Sequence, residues 1–219
     1  MDFLKLNAFL LNLREHNNKD WFDQNKMEYT ELRNAWISFV QQIIDDLGKL
    51  DSSIGNLDAK KCIFRINKDV RFSKDKSPYK TNFGAIINKG GKKEMSSGYY
   101  IHFDPKEIFI AGGTYLPEPK LLASIRQEID YNLSEFESIV KDKKAIRLFG
   151  VLSGDKLVRP PKGYLEDNLA VELLKHKSFL WTKNFNLNEV TNKKFQNNIL
   201  EAFAQMKPLN DFLNRCGDN

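Results

Sequence analysis

Six cations, Arg65, Lys68, Arg71, Lys74, Lys76 and Lys80, are interleaved with the hydroxyls of Ser73, Ser77, Tyr79 and Thr81 in one short stretch of this chain. Phosphate recognition uses this mixture. Arginine grips oxygens in bidentate geometry, lysine adds a point charge and hydroxyls complete the shell. Phe72 and Tyr79 offer aromatic faces on which a base could stack. Asp69 and Asp75 can be read in two ways. They are proton carriers beside cations that stabilise charge, or they are counter-ions that pair with their neighbours and leave an ordinary solvated loop. The stretch is not a phosphate-binding loop of the Gly-x-x-x-x-Gly-Lys-Ser/Thr kind.

The charge distribution points to the same place. Between Lys60 and Lys93 there are 11 Lys/Arg and 2 Asp/Glu, whereas the whole 219-residue chain carries only +5. The rest of the chain is therefore slightly acidic, and an anionic partner is expected at this segment.

Other candidates are fewer. His102 lies in an alternating run in which Tyr100, His102 and Asp104 share one face, with Tyr99, Ile101 and Phe103 on the other. That polar face either lines a pocket or meets water. If Arg65 points to the same side, His102 is the best general acid/base near the cations. His16 and His176 read as charges near helix C-terminal ends. No metal-ligand spacing, Gly-x-Ser-x-Gly elbow or Cys-x-x-Cys pair occurs, so no metal, cofactor or hydrolase triad is expected. Cys62 and Cys216 read as ordinary thiols. Gly112-Gly113 reads as a turn, and Arg159–Tyr164 as a basic, proline-stiffened connection.

These residues need elements to position them. Phe3, Leu6, Leu10 and Leu13 predict a first helix ending at His16. A longer one is expected from an Asp20 N-cap to Gly48, carrying Tyr29, Leu32, Trp36, Phe39, Val40, Ile43 and Leu47; its aromatic stripe of Trp21, Phe22, Tyr29 and Trp36 reads as packing. Strands are expected from Lys60 through Ile66, through Phe83–Ile87, and as a hairpin of Tyr99–Phe103 with Glu107–Ala111 around Asp104-Pro105-Lys106. After Pro117-Glu118-Pro119 come helices bearing Leu121, Leu122, Ile125 and Ile129, then Phe136, Ile139 and Val140. Short elements follow: an extended Leu157–Arg159, a helix from about Asp167 to Lys175, and Ser178–Thr182. The last helix starts at about Thr191 and is bent or interrupted at Pro208. With no repeat or interdomain linker, the expectation is a single α+β domain over 1–219: a small, largely antiparallel sheet flanked by N-terminal and C-terminal helices. No membrane-length apolar run or leader is visible, and a cytoplasmic protein is expected.

The run from Phe64 to Ala85, the segment Gly98–Ile129, and the stretches Leu157–Tyr164 and Leu173–Phe179 resemble the domain of unknown function 2461 family of bacterial and fungal proteins, as does the N-terminal stretch with His16-Asn17-Asn18-Lys19-Asp20-Trp21-Phe22. The resemblance covers nearly the whole chain. It implies one conserved domain and a signature centred on Arg65, Asp69, Arg71, Phe72, Ser73, Asp75, Lys76, Pro78, Tyr79 and Lys80. Lys68 stands where the family often has arginine, which disfavours a bidentate role there. The family carries over no activity, cofactor or catalytic residue. Three readings stand: binding of a phosphorylated small molecule or nucleic acid by Arg65, Lys68, Arg71, Ser73, Lys76, Tyr79 and Lys80; an enzyme acting on an anionic substrate, with His102, Asp69 or Asp75 handling protons; and a purely structural signature.

Overall fold

The computed structural model describes residues 1–216. The protein is α+β. Its elements in chain order are α1 (Phe3–Glu15), α2 (Lys19–Gln24), α3 (Lys26–Leu50), α4 (Ala59–Cys62), β1 (Phe83–Ile87), β2 (Gly98–Asp104), β3 (Glu107–Thr114), α5 (Pro119–Tyr131), α6 (Leu133–Val140), α7 (Lys143–Phe149), α8 (Val171–Leu174), β4 (Phe179–Phe185), α9 (Leu187–Val190) and α10 (Phe195–Arg215). The four strands form one antiparallel sheet in the order β1-β2-β3-β4. Contacts group the chain into two compact units. The first comprises Met1–Glu94, Tyr100–Ile110 and Asn184–Leu200; the second comprises Met95–Tyr99, Ala111–Lys183 and the chain from Glu201 onward.

In the first unit, Asp2 caps α1 by accepting from the Lys5 N–H at 2.9 Å. Phe3, Leu6, Phe9, Leu10 and Leu13 are buried along one side of that helix. Phe3 gathers the rings of Phe39, Phe103 and Phe195, each with its centroid within 5.5 Å. Leu32, Trp36, Phe39, Val40, Ile43, Ile44 and Leu47 form the buried stripe of α3. Each such side chain contributes about 1.5–3 kcal/mol when removed from water. The expected Asp20 cap is corrected: Asn18 caps α2 through the Trp21 N–H, and the helix breaks at Asn25 before α3 begins. Gly48 does not stop α3, which runs on to Leu50. The aromatic stripe is packing, with Trp36 and Tyr29 both set edge-on to Phe83.

The strand expected from Lys60 is corrected as well. Asp58 caps a single helical turn, α4, by accepting from the Lys60 N–H. The chain then extends and pairs irregularly: Phe64 N–H bonds the Gly84 carbonyl, Lys80 N–H the Ile66 carbonyl, and Lys68 N–H the Pro78 carbonyl. Between the first two of these pairs, one side of the ladder holds Arg65 alone and the other holds Thr81, Asn82 and Phe83. The extra residues make a bulge, which ends regular pairing and re-aims side chains.

In the second unit, Phe136 packs with Phe179 and Phe212, and Tyr99 with Phe203. Gly112-Gly113 is not a turn but the inside of β3. A Cβ at Gly112 would fall 2.7 Å from the Met206 sulfur, and one at Gly113, at φ +126, would collide with the Phe179 carbonyl oxygen. Phe179–Thr182 belongs to the fourth strand, with Ser178 just before it; α7 is a further helix, and the helix expected over Asp167–Lys175 shrinks to α8. Leu157–Arg159 forms no strand; Leu157 N–H bonds the Lys175 carbonyl beside an isolated bridge between Lys156 and His176. α10 passes through Pro208 without interruption.

Candidate functional site: the signature loop and the outer face of β2

The loop from Ile66 to Lys80 is fastened at its base by Asn17, which lies just beyond α1. The Asn17 amide donates to the Tyr79 carbonyl at 2.9 Å and accepts from the Tyr79 N–H at 3.0 Å. Tyr79 is only 6% exposed, and its ring stacks on Phe22 at 4.0 Å. Its expected role as a surface stacking face is therefore corrected: Tyr79 is the buried anchor of the loop. Phe72 is the opposite case, 95% exposed at the tip, with the Arg71 guanidinium 5.9 Å from its ring centre.

Most of the loop's charges answer one another. Arg71 grips Asp69 through two bonds, Nε to Oδ1 at 2.9 Å and Nη2 to Oδ2 at 2.6 Å. That pairing holds the Asp69 carboxyl below its usual range. Lys68 donates to Asp75 at 2.8 Å and to the Ser77 hydroxyl at 2.7 Å, while Asp75 also accepts from the Ser77 N–H and hydroxyl. Lys68, and then Ser77, hold Asp75 far below the ordinary carboxylate value. Lys76 donates to the Val70 carbonyl at 3.0 Å. Asp69 and Asp75 are thus counter-ions, firmly ionised, and neither is poised to carry a proton near neutral pH. Ser73 closes a local turn through its backbone bond to Val70.

Three cationic side chains, those of Arg65, Lys74 and Lys80, have no hydrogen-bond or ion-pair partner among the described residues, and two of them, Lys80 and Arg65, are neighbours. The Lys80 ammonium lies 5.5 Å from the centre of the Phe64 ring and makes no ion pair among the described residues. Burial, and then the nearby Arg65 guanidinium, push it below its ordinary value, and no carboxylate offsets them. Arg65 has no hydrogen-bond or ion-pair partner among the described residues, although its charge helps to keep Asp69 ionised.

Phe64 connects these cations to the sheet. Its ring meets Tyr100 edge-on, with centroids 6.2 Å apart. The alternation expected for β2 holds: Ile101 and Phe103 are buried, while Tyr100, His102 and Asp104 are half-buried on the other face. The bulge aims its residues at that face. Thr81 donates to Asp104 at 3.3 Å, and the Asn82 amide lies 3.4 Å from His102 Nδ1. The Tyr100 hydroxyl is 2.9 Å from the same nitrogen. Phe109 of β3 stacks on the imidazole at 4.8 Å. Arg14 closes the end of the row with a 2.7 Å ion pair to Asp104. Gly84 lies beneath the Tyr100 phenol, where a Cβ would come within 2.7 Å of the hydroxyl. Burial pushes Tyr100 up to about 12 and His102 below its ordinary value, against the pull of Asp104 and Glu107. His102 is therefore neutral at pH 7.

A shallow cleft in the same unit shares Phe64, Asn82 and Gly84 with this face and adds Tyr29, Arg33 and Trp36 from α3. The buried Trp36 indole N–H has no acceptor among the described residues. Asn82, Arg33 and the role of Phe64 were not singled out in the sequence, because a bulge and a neighbouring helix bring them here and neither leaves a local motif. The other two histidines differ. His16 is the C-cap residue of α1 and stacks on Trp21, whereas burial pushes His176 down to about 4, which corrects its expected role as a helix-end charge. Cys62 and Cys216 are buried free thiols, each pushed up to about 11 by burial. Among the described residues, no cluster of His, Cys, Asp and Glu could hold a metal, and no helix is long and apolar enough to cross a membrane.

Comparison with known proteins gives one match, to a family described as a conserved hypothetical protein (DUF2461), over residues 5–212. Neither the curated proteins nor the solved structures yield a match. The matched span takes in the loop, its Asn17 anchor and the whole face of β2, and the chain belongs to the DUF2461 family.

Proposed function

We propose that the protein binds a small anionic ligand, carrying a phosphate or carboxylate, at Arg65 and Lys80 beside Phe64 and the Tyr100–His102 face. The observation that carries this reading is Lys80: a partly desolvated ammonium whose charged neighbour is a second cation, with no carboxylate among the described residues to offset it. An anion between them would relieve that repulsion and make charge-assisted hydrogen bonds. Phe64 supplies an apolar platform next to the charge. The loop tip supports a narrower role. With Arg71 and Lys68 neutralised by Asp69 and Asp75, it braces itself and leaves only Lys74 and Lys76 without a carboxylate for an extended polyanion, which weighs toward a small ligand over nucleic acid.

Enzymatic turnover of such a ligand is the second reading. It is favoured by one observation, a half-buried histidine hydrogen-bonded to a tyrosine on the same face. Thermal shift with inorganic pyrophosphate, nucleotides and phosphosugars tests the binding reading. Pyrophosphate should raise the melting temperature of the wild type and of Arg71→Ala, with the response weakening as salt is added. Lys80→Gln should weaken binding by about 10- to 100-fold, the loss expected for one charge-assisted hydrogen bond. Equal responses from Lys80→Gln and wild type, or no response to any of these anions, would overturn the proposal.

A further inference from the structure

Two hydrogen-bond donors converge on one nitrogen of His102. The Asn82 amide nitrogen, 3.4 Å from Nδ1, can only donate. Nδ1 must then be the acceptor, and the Tyr100 hydroxyl at 2.9 Å completes the arrangement by donating to it as well. The ring's proton therefore sits on Nε2. That nitrogen has no partner among the described residues and is not among the fully buried unpartnered atoms, while Phe109 covers one ring face. We propose that His102 is a neutral hydrogen-bond donor of the anion site, held by Tyr100 and Asn82 in the tautomer that offers its Nε2–H to a phosphoryl or carboxylate oxygen.

The assignment of the acceptor rests on the anion reading; that of the tautomer does not. It also revises the acid–base role expected for His102, since a nitrogen that already carries a proton cannot take one from a substrate. Tyr100 acts here as a positioning residue. Gly84 gives its phenol the room to lie across β1, because any β-carbon there would meet the hydroxyl. Phe64 supports the ring from the side. The charged groups facing the imidazole are Asp104 on its own strand and Glu107 on β3.

Nitrogen-15 spectra of the imidazoles test the proposal. The chain has 3 histidines, so His102→Gln identifies the signal. At pH 7.5 the Nε2–H tautomer is expected, and pyrophosphate should move the Nε2 resonance while leaving Nδ1 as an acceptor. Tyr100→Phe keeps the packing and leaves Asp104 and Glu107 in place. By removing a donor to the neutral ring, it should raise the titration midpoint of His102 by about half a pH unit to one. An Nδ1–H tautomer in the free protein would overturn the proposal whether or not anions bind. An Nε2 signal unmoved by pyrophosphate that does protect Lys80 would remove His102 from the site and leave the anion reading standing. A protein in which neither Lys80 nor His102 responds would remove the anion reading and the donor role together. An unchanged midpoint in Tyr100→Phe would show that Tyr100 does not position the ring.

Discussion

Replacing Gly84 with alanine should break the Tyr100–His102 pair without touching either residue. The new Cβ would stand 2.7 Å from the Tyr100 hydroxyl oxygen, 3.3 Å from Cζ and 3.4 Å from Phe64 Cδ2. The backbone at Gly84 lies outside the left-handed region, so alanine meets only these neighbours. To reach ordinary contact the hydroxyl must withdraw by about 0.7 Å. A retreat of that size opens the 2.9 Å bond to Nδ1 beyond hydrogen-bonding range. The loss of that bond costs about 0.5–1.5 kcal/mol, and the crowding about 1 kcal/mol or more. The lower entropy of an alanine-containing unfolded chain returns about 0.4–1 kcal/mol. The net expectation is a destabilisation of about 1–2 kcal/mol. In a Tyr100→Phe background the offending oxygen is gone and the closest remaining contacts are nearly ordinary, so the same substitution should be close to neutral. Denaturant unfolding of the four proteins of this double-mutant cycle measures the coupling, expected at about 1 kcal/mol or more. Equal costs in the two backgrounds, within about 0.3 kcal/mol, would refute the idea that Gly84 is there to seat the Tyr100 phenol.

Three further outcomes are expected. His176 is buried and its folded-state value, about 4, lies below that of an unfolded histidine near 6.5, so the unfolded chain takes the proton first. Stability should therefore fall as pH drops from about 6.5 toward 4, and denaturant melts of His176→Phe should show a shallower decline over that window. Gly113→Ala forces a side chain into the Phe179 carbonyl at a φ that disfavours it, and should cost about 4 kcal/mol or more, read as loss of cooperative unfolding or of soluble protein. Cys62 and Cys216, held protonated to about 11, should react with a thiol reagent at neutral pH only as fast as the protein opens, so their labelling should accelerate sharply once denaturant is added.

The sequence by itself determined the features that depend on neighbours a few residues apart. The stripes of α1 and α3, the β2–β3 hairpin around Pro105 and the alternation that puts Tyr100, His102 and Asp104 on one face all follow from periodicity, because burial of a helix side or a strand face repeats at fixed spacing. The location of the cationic segment was legible for the same reason. Whether its charges are spent was not. Asp69 takes Arg71, and Asp75 takes Lys68 across seven residues, through loop turns that composition does not encode. Only the tertiary structure decided that Tyr79 is an anchor under Phe22 rather than a surface ring, that Lys80 is partly buried beside Arg65 with no carboxylate to offset it, and that a bulge delivers Asn82 to His102. Each of these depends on contacts between residues distant in the chain, where packing against a partner overrides local preference. Lys80 shows the difference most plainly: one of six similar cations in the sequence, it is singled out by its partial burial against the Phe64 ring with Arg65 as its charged neighbour.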